Sequence, residues 1–431
     1  MKTEPKKVLI ITYYWPPAGG PGVQRWLKFV KYLPDFNIQP NVYIPKNPTY
    51  PIIDENLIKE ISPKAIIIRK NIFEPYGFAS LFSKNKTKQI SSGIIPNKKK
   101  QSTLDKIFLW VRGNLFIPDA RVFWVKPSTR FLEKYIKENQ IDTVITTGPP
   151  HSLHLIGLNL KNKLDIKWIA DFRDPWTSIG YHKALKLTDS SANKHMDLEE
   201  EVLNSADTII VTSKNTKMEF ESLTDKPIEV ITNGYDFENV EKQPLDEKFS
   251  IAHIGSLLSK RNPRILWEVL SELIHEIPEF AAQFELKLIG TVSQEILDTI
   301  HNYNLDAYLN YMGYVSHQEA IMQQQKSQVL LLIEINSLET TSIIPGKLFE
   351  YIIYERPIIA IGPANSDFAE IIKETNSGFF FDYTQKEGLK KTILDYFEKY
   401  KTGSLNSNPT GVEKYSRKNL TERLSKLILK I

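Results

Sequence analysis

The chain has 431 residues, 41% apolar and 25% charged, with a formal net charge of +4. That length exceeds one ordinary core and implies two domains, while so small a basic surplus gives no argument for nucleic acid. There is no cysteine, which excludes disulfides, thiolate nucleophiles and cysteine-ligated metal centres.

The basic start MKTEPKKVLIITYYWPP holds too short an apolar run for a signal peptide. No segment nears the ~18 apolar residues of a membrane span. A cytoplasmic location is the expectation, with contact at the inner face of the membrane left open. The first strand, KVLIITY (7–13), runs into YWPPAGGPGVQRW. After that loop Val23, Trp26, Leu27 and Val30 form one apolar stripe of a helix. A dinucleotide fingerprint would need a third glycine where Arg25 stands, and an acid at the tip of the second strand, where the sequence reads YIPKNP. Gly19, Gly20 and Gly22 therefore make a generic strand-to-helix loop, suited to an anion or a hydroxyl-rich ligand.

Further strands are expected at 40–44, 65–70, 142–147, 167–172, 207–213 and 228–232. Residues 71–127 read as an insert. Within it, 83–102 holds six lysines and no acid, either a solvated loop or a contact for anionic lipid or a lipid-linked phosphate. The aromatic stretch 107–125 is amphipathic, with core packing the first expectation and a membrane-facing surface the second. At the following strand tips stand His151, in TTGPPHS, and Arg173 with Asp174, in DFRDPW. That edge of an open α/β sheet is where ligands bind. Arg173 and Asp174 suit sugar hydroxyls or a structural salt bridge.

A polar stretch at 233–248 reads as a linker, and a second run of strands begins at FSIAHIG (249–255). In GSLLSKRNP, Lys260 and Arg261 precede a helix that Asn262 could cap with Pro263 at its first position. SHQE (316–319) has the form of a capping box. In PGKLFEYIIY a helix starting near Lys347 puts Lys347, Glu350, Tyr351 and Tyr354 on one face. A cation and a carboxylate one turn apart suit a nucleotide diphosphate and its ribose, or else form an ordinary surface pair. Neither D-x-D nor H-E-x-x-H occurs, so metal chemistry has no local support and no cofactor is expected. The fold class that follows is α/β, two Rossmann-like domains facing a cleft: 1–236 with the insert, 237–404, and a C-terminal helix in 405–431 packing back on the first domain.

The motifs GGPGVQR, DFRDPW, TNGYD, GSLLSKR and PGKLFEYIIYERPIIA together resemble the glycosyltransferases of family 4, of GT-B architecture, over nearly the whole chain. The last motif is the most specific. The resemblance implies a nucleotide-diphosphate sugar bound mainly by the C-terminal domain, an acceptor taken from the N-terminal one, retention of configuration, and no metal. Glu350 resembles the second glutamate of the family's Glu-x7-Glu pair, which holds the ribose, and Lys260 or Arg261 the diphosphate-binding cation. Arg173 stands where many members carry a histidine near the reacting sugar. Two positions depart from the pattern: Ser342 replaces the first glutamate, and Ser256 the arginine after Gly255. The expected activity is sugar transfer to a glycan or lipid-linked acceptor. A nucleotide-sugar epimerase, for which His151 and Asp174 would be the acid–base groups, and a non-catalytic sugar-nucleotide binder are the alternatives.

Overall fold

A computed structural model of the chain describes residues 4–74, 103–183, 185–236 and 241–431; the lysine-rich segment 83–102 lies outside them. The chain divides into two compact units, Met1–Asn233 with Arg417–Ile431, and Gly234–Ser416.

The first unit is built on seven parallel strands, β1 (Lys6–Ile11), β2 (Ile38–Pro45), β3 (Ile66–Lys70), β4 (Thr143–Gly148), β5 (Lys167–Phe172), β6 (Thr208–Val211) and β7 (Ile228–Val230). Their order is β3-β2-β1-β4-β5-β6-β7. Each falls on an apolar run of the sequence, because a parallel strand covered on both faces has no alternating polar side. The order reverses between β1 and β4, which opens a crevice at the carboxyl ends of those strands. Helix α1 (Pro21–Tyr32) starts in the glycine-rich loop and buries the stripe Val23, Trp26, Leu27 and Val30.

The described part of the insert includes two helical stretches, α2 (Thr103–Leu115) and the start of α3 (Val122–Asn139). Its aromatic stretch divides between core and solvent. Leu109, Trp124 and Val125 are buried, whereas Ile107, Trp110, Leu115 and Phe123 are exposed. After β4 and β5 come α4 (Ser152–Lys161) and α5 (Asp189–Ser205).

The second unit repeats the plan with six parallel strands, β8 (Phe249–Ile254), β9 (Phe284–Ile289), β10 (Leu309–Gly313), β11 (Val329–Ile333), β12 (Ile358–Gly362) and β13 (Gly378–Asp382), ordered β10-β9-β8-β11-β12-β13. Helix α6 (Arg264–Glu276) begins one residue later than the sequence suggests, and Asn262 does not cap it. The Asn262 side chain instead accepts from Trp267 Nε1 (2.7 Å) and donates to Thr299 Oγ1 (2.9 Å). Ser316 does cap α7 (His317–Lys326), accepting from Glu319 N at 3.2 Å. Glu319 does not complete the box, since its carboxylate accepts from Gln323. Helix α8 (Lys347–Tyr351) is short and gives way to a turn. The last helix, α9 (Arg417–Lys430), belongs to the first unit and packs with α1.

Candidate functional site

In the first unit the glycine-rich loop is fastened on both sides. Gly19 N donates to Ile52 O (3.0 Å) and Asp54 N to Pro17 O (2.8 Å). Gly20 has φ of 98°, which favours glycine. Gly22 is needed for a different reason, because a Cβ there would stand 2.3 Å from Arg173 Nη1. The Arg173 guanidinium donates to the carbonyls of Gly22 (2.8 Å), Gly148 (3.2 Å) and Pro149. It thus ties the opening loop to the ends of β4 and β5, and its donors go to backbone. Arg25 is 4% exposed and turned inward: it pairs with Asp171 (2.8 Å) and donates to Thr232 O (2.8 Å). Asp171 also accepts from Trp26 Nε1 and Thr147 Oγ1, at 2.7 and 2.8 Å. Those donors hold its pKa below the ordinary value despite burial, which alone would raise it.

Asp174 differs. Half-buried beside Arg173, its carboxylate accepts no hydrogen bond, and burial raises its pKa against the pull of Arg173. His151 is 5% exposed, stacked on Trp176 at 4.8 Å, and neither ring nitrogen has a partner. His154 lies beside it and bonds Thr146 Oγ1 (2.9 Å). Trp176 Nε1 donates to His195 Nδ1 (3.1 Å), and His195 in turn packs on His182. Burial keeps all four imidazoles neutral, with pKa near 3 for His154 and near 4 for His182.

In the second unit the residues gather at the carboxyl ends of β8 and β11. Gly255 follows β8 with φ of 118°, and a Cβ there would lie 3.0 Å from Lys347 Nζ. Lys347 reaches from α8 to donate to Ile254 O (2.9 Å) and to His253 Nε2 (3.2 Å). His253 is buried and neutral, its Nδ1 on Leu331 O. Burial, then repulsion from Arg261, pulls the Lys347 pKa down to about 7. Arg261 forms a bidentate pair with Glu334, both contacts 3.1 Å, and Glu334 also accepts from Ile335 N (2.8 Å). Lys260 is exposed and makes no ion pair, and half-buried Ser342 makes no side-chain hydrogen bond.

The expected shared face of α8 splits. Lys347 and Tyr351 both turn to Ile254, while Glu350 accepts from Gln324 on α7 (3.0 Å). Positions three apart on a helix differ by about 60° in direction, enough to send them to different neighbours. Among the described residues no group of three or more His, Asp or Glu could hold a metal.

Residues 96–239 match the family model described as Glycosyltransferase Family 4. Among solved structures, sucrose-phosphate synthase from Thermosynechococcus elongatus is 14% identical, with a TM-score of 0.61 over 99% of this chain and 98% of that one. HepE of Anabaena, in complex with UDP and glucose, is 12% identical, with a TM-score of 0.59 over 99% and 100%. A TarM variant of S. aureus, in complex with fondaparinux, alpha-GlcNAc-glycerol and UDP, is 14% identical, with a TM-score of 0.56 over 98% and 99%. The chain has the GT-B fold. Nothing among curated proteins matches it.

Within this GT-B chain three groups escape a reading of the sequence. Asp171, not Asp174, anchors the opening helix; Glu334 holds Arg261; His253 receives Lys347. The one signal for Glu334 is an acid directly after the wholly apolar strand Val329–Ile333.

Proposed function

We propose that the chain is a glycosyltransferase that moves a sugar from a nucleotide-diphosphate donor to a hydroxyl of a growing surface glycan, with retention of configuration. The observation that carries this reading is Lys347, a half-buried ammonium at a strand's carboxyl end, held by a carbonyl and an imidazole rather than a carboxylate. A desolvated cation of that kind is stabilised by a bound anion. A diphosphate supplies one, which Lys347, Arg261 and exposed Lys260 can share. The Family 4 match supports sugar transfer, and the UDP in the HepE and TarM structures supports a nucleoside diphosphate as leaving group. Glu350 would accept the ribose hydroxyls.

In this mechanism a departing phosphate oxygen takes the acceptor's proton as the new glycosidic bond forms, so no side-chain base is required. The lysines and Arg261 stabilise the charge that grows on that phosphate. Because they supply the positive charge, turnover should persist in EDTA. Cytoplasmic work on a glycan or lipid-linked acceptor completes the reading. Ser342 and Ser256, with no carboxylate and no guanidinium at those two positions, favour a second reading, a non-catalytic sugar-nucleotide binder.

A thermal-shift panel of nucleoside diphosphates tests the site. A ligand at a hundredfold excess over Kd stabilises by about 2.7 kcal/mol. Release of nucleoside diphosphate from a nucleotide-sugar only when a glycan acceptor is present separates transfer from mere binding. No shift with any nucleoside diphosphate would overturn both readings.

A further inference from the structure

Glu334 directly follows β11, is 1% exposed, and has every hydrogen-bonding group taken. Its N donates to Ile361 O (2.9 Å) and its carbonyl accepts from the Tyr383 hydroxyl (2.8 Å). Its carboxylate accepts from Ile335 N (2.8 Å) and from both Nε and Nη2 of Arg261 (3.1 Å each). A carboxylate that far from water persists only when it is paired and hydrogen-bonded. The sheet therefore gives this side chain one orientation.

Arg261 has no such support of its own. It ends a short turn, Ser259–Arg261, in which no residue is buried, and its side chain is 31% exposed. A guanidinium offers five N–H donors in a rigid fork. Glu334 takes the Nε and Nη2 edge, while Nη1 has no hydrogen-bond partner among the described residues. A loose arginine on a turn would spread over many rotamers. Gripped along one edge, it presents the other in a fixed place, which lowers the entropy lost when an anion binds.

The same carboxylate acts on Lys347 at longer range. The groups around that ammonium are neutral His253 of β8, Arg261 of the following turn, Glu334 at the end of β11, and Glu350 on its own helix. Burial and then Arg261 disfavour its charged form, whereas Glu334 and then Glu350 favour it.

We propose that Glu334 is a positioning residue of the donor site: it fixes Arg261 by one edge of the guanidinium, leaves the other edge to a diphosphate, and lets Arg261 and Lys347 stand together as cations. Glu334 acts through these two side chains, since an enclosed carboxylate with its acceptors filled has nothing to offer a phosphate. The proposal rests on the reading of this strand edge as a diphosphate site and names the group that assembles it.

The test is calorimetric titration of the full chain between about pH 6 and pH 8, with whichever of UDP, GDP and ADP gives wild type the largest thermal shift. The melting temperature of each protein is recorded alongside. Glu334→Gln keeps the shape and removes the charge, so Lys347 should lose its proton at lower pH than in wild type. The ratio of its Kd to that of wild type should then rise with pH, approaching about tenfold for each unit by which the lysine's pKa falls. Arg261→Gln removes a repulsion from Lys347, so its ratio should fall with pH instead. Glu334→Asp keeps the charge on a side chain one methylene shorter. Its ratio should stay nearly level with pH, while Kd rises about fivefold even near pH 6, because Arg261 has lost its grip. A carboxylate that merely staples the turn to the sheet predicts ratios that are equal at every pH and follow the melting temperature. Level ratios for Glu334→Gln, or wild-type affinity for Glu334→Asp near pH 6, would overturn the role of Glu334 and leave the donor site standing. Failure of wild type to bind any of the three nucleotides would remove the donor site itself, and this proposal with it.

Discussion

Lys347 gives the donor site a pH signature. Its pKa falls from 10.5 to about 7 in the folded chain. Between those values the unfolded chain holds a proton that the folded one lacks, so this lysine's contribution to stability rises with pH across that window. A bound diphosphate acts in the opposite sense on the proton, because its charge favours the ammonium. Binding above about pH 7 should therefore take up a proton, and affinity should fall with rising pH, approaching about tenfold per pH unit. Calorimetry with a nucleoside diphosphate in buffers of different ionisation enthalpy measures that uptake directly. Lys347→Met should lose the uptake along with much of the affinity, while Lys347→Arg should retain affinity and lose the slope. A flat pH profile in the wild type would remove Lys347 from the anion site.

At the scale of elements, α9 is part of the first unit's core rather than a surface appendage. Leu420, Leu424 and Ile428, at four-residue spacing, are buried in one cluster with Trp26, Leu27 and Val30 of α1. Arg417 adds a hydrogen bond to Gln24 Oε1 (2.8 Å). Leu424→Ala deletes buried methyl groups where neighbours can only partly close in, so it should cost about 2–5 kcal/mol. The transition that drops in urea or calorimetry should be that of the first unit. A neutral substitution would mean that α9 leaves this core in solution. The same α1 carries the glycine-rich loop at its start, so loss of α9 should also loosen that loop.

Taken whole, the molecule should unfold unevenly in acid. The first unit buries His151, His154, His182 and His195 as neutral rings, whereas the second has one such residue, His253. A histidine with a lowered folded pKa contributes stability above its unfolded value near 6.5 and loses it as pH falls toward the folded one. Each can contribute a slope of up to about 1.4 kcal/mol per pH unit. Burial raises the pKa of Asp174 and Glu199 in the same unit, and these two work in the opposite direction. Four histidines against two carboxylates leave a net loss as pH drops from about 6.5 toward 4. Calorimetry should thus show the first unit's transition falling ahead of the second's over that range, and His182→Phe should lessen the lag. Equal slopes for both transitions would contradict this account.

The seven strands of the first unit, the start of the second run at β8, the stripe of α1 and the Ser316 cap could be read from the amino-acid order. Each depends on interactions within a few residues, or on burial on both faces of a strand, which leaves an apolar run. The same local rules brought Arg261, Lys347 and Glu350 to notice as charges beside helix starts. They could not say where those charges turn. Arg25 meets Asp171 across 146 positions, Arg261 meets Glu334 across 73, and Lys347 meets His253 across 94. In each case the partners lie on different elements, helix, strand or loop, that the parallel sheet brings together near the carboxyl ends of its strands. Neither residue carries a local trace of the other, because a buried charge selects its partner by proximity and desolvation, and only tertiary packing supplies both. The insert divides in the same way. Its apolar content was evident in the sequence, but which of its rings are buried and which face water was decided by the contacts of Leu109 and Gly113.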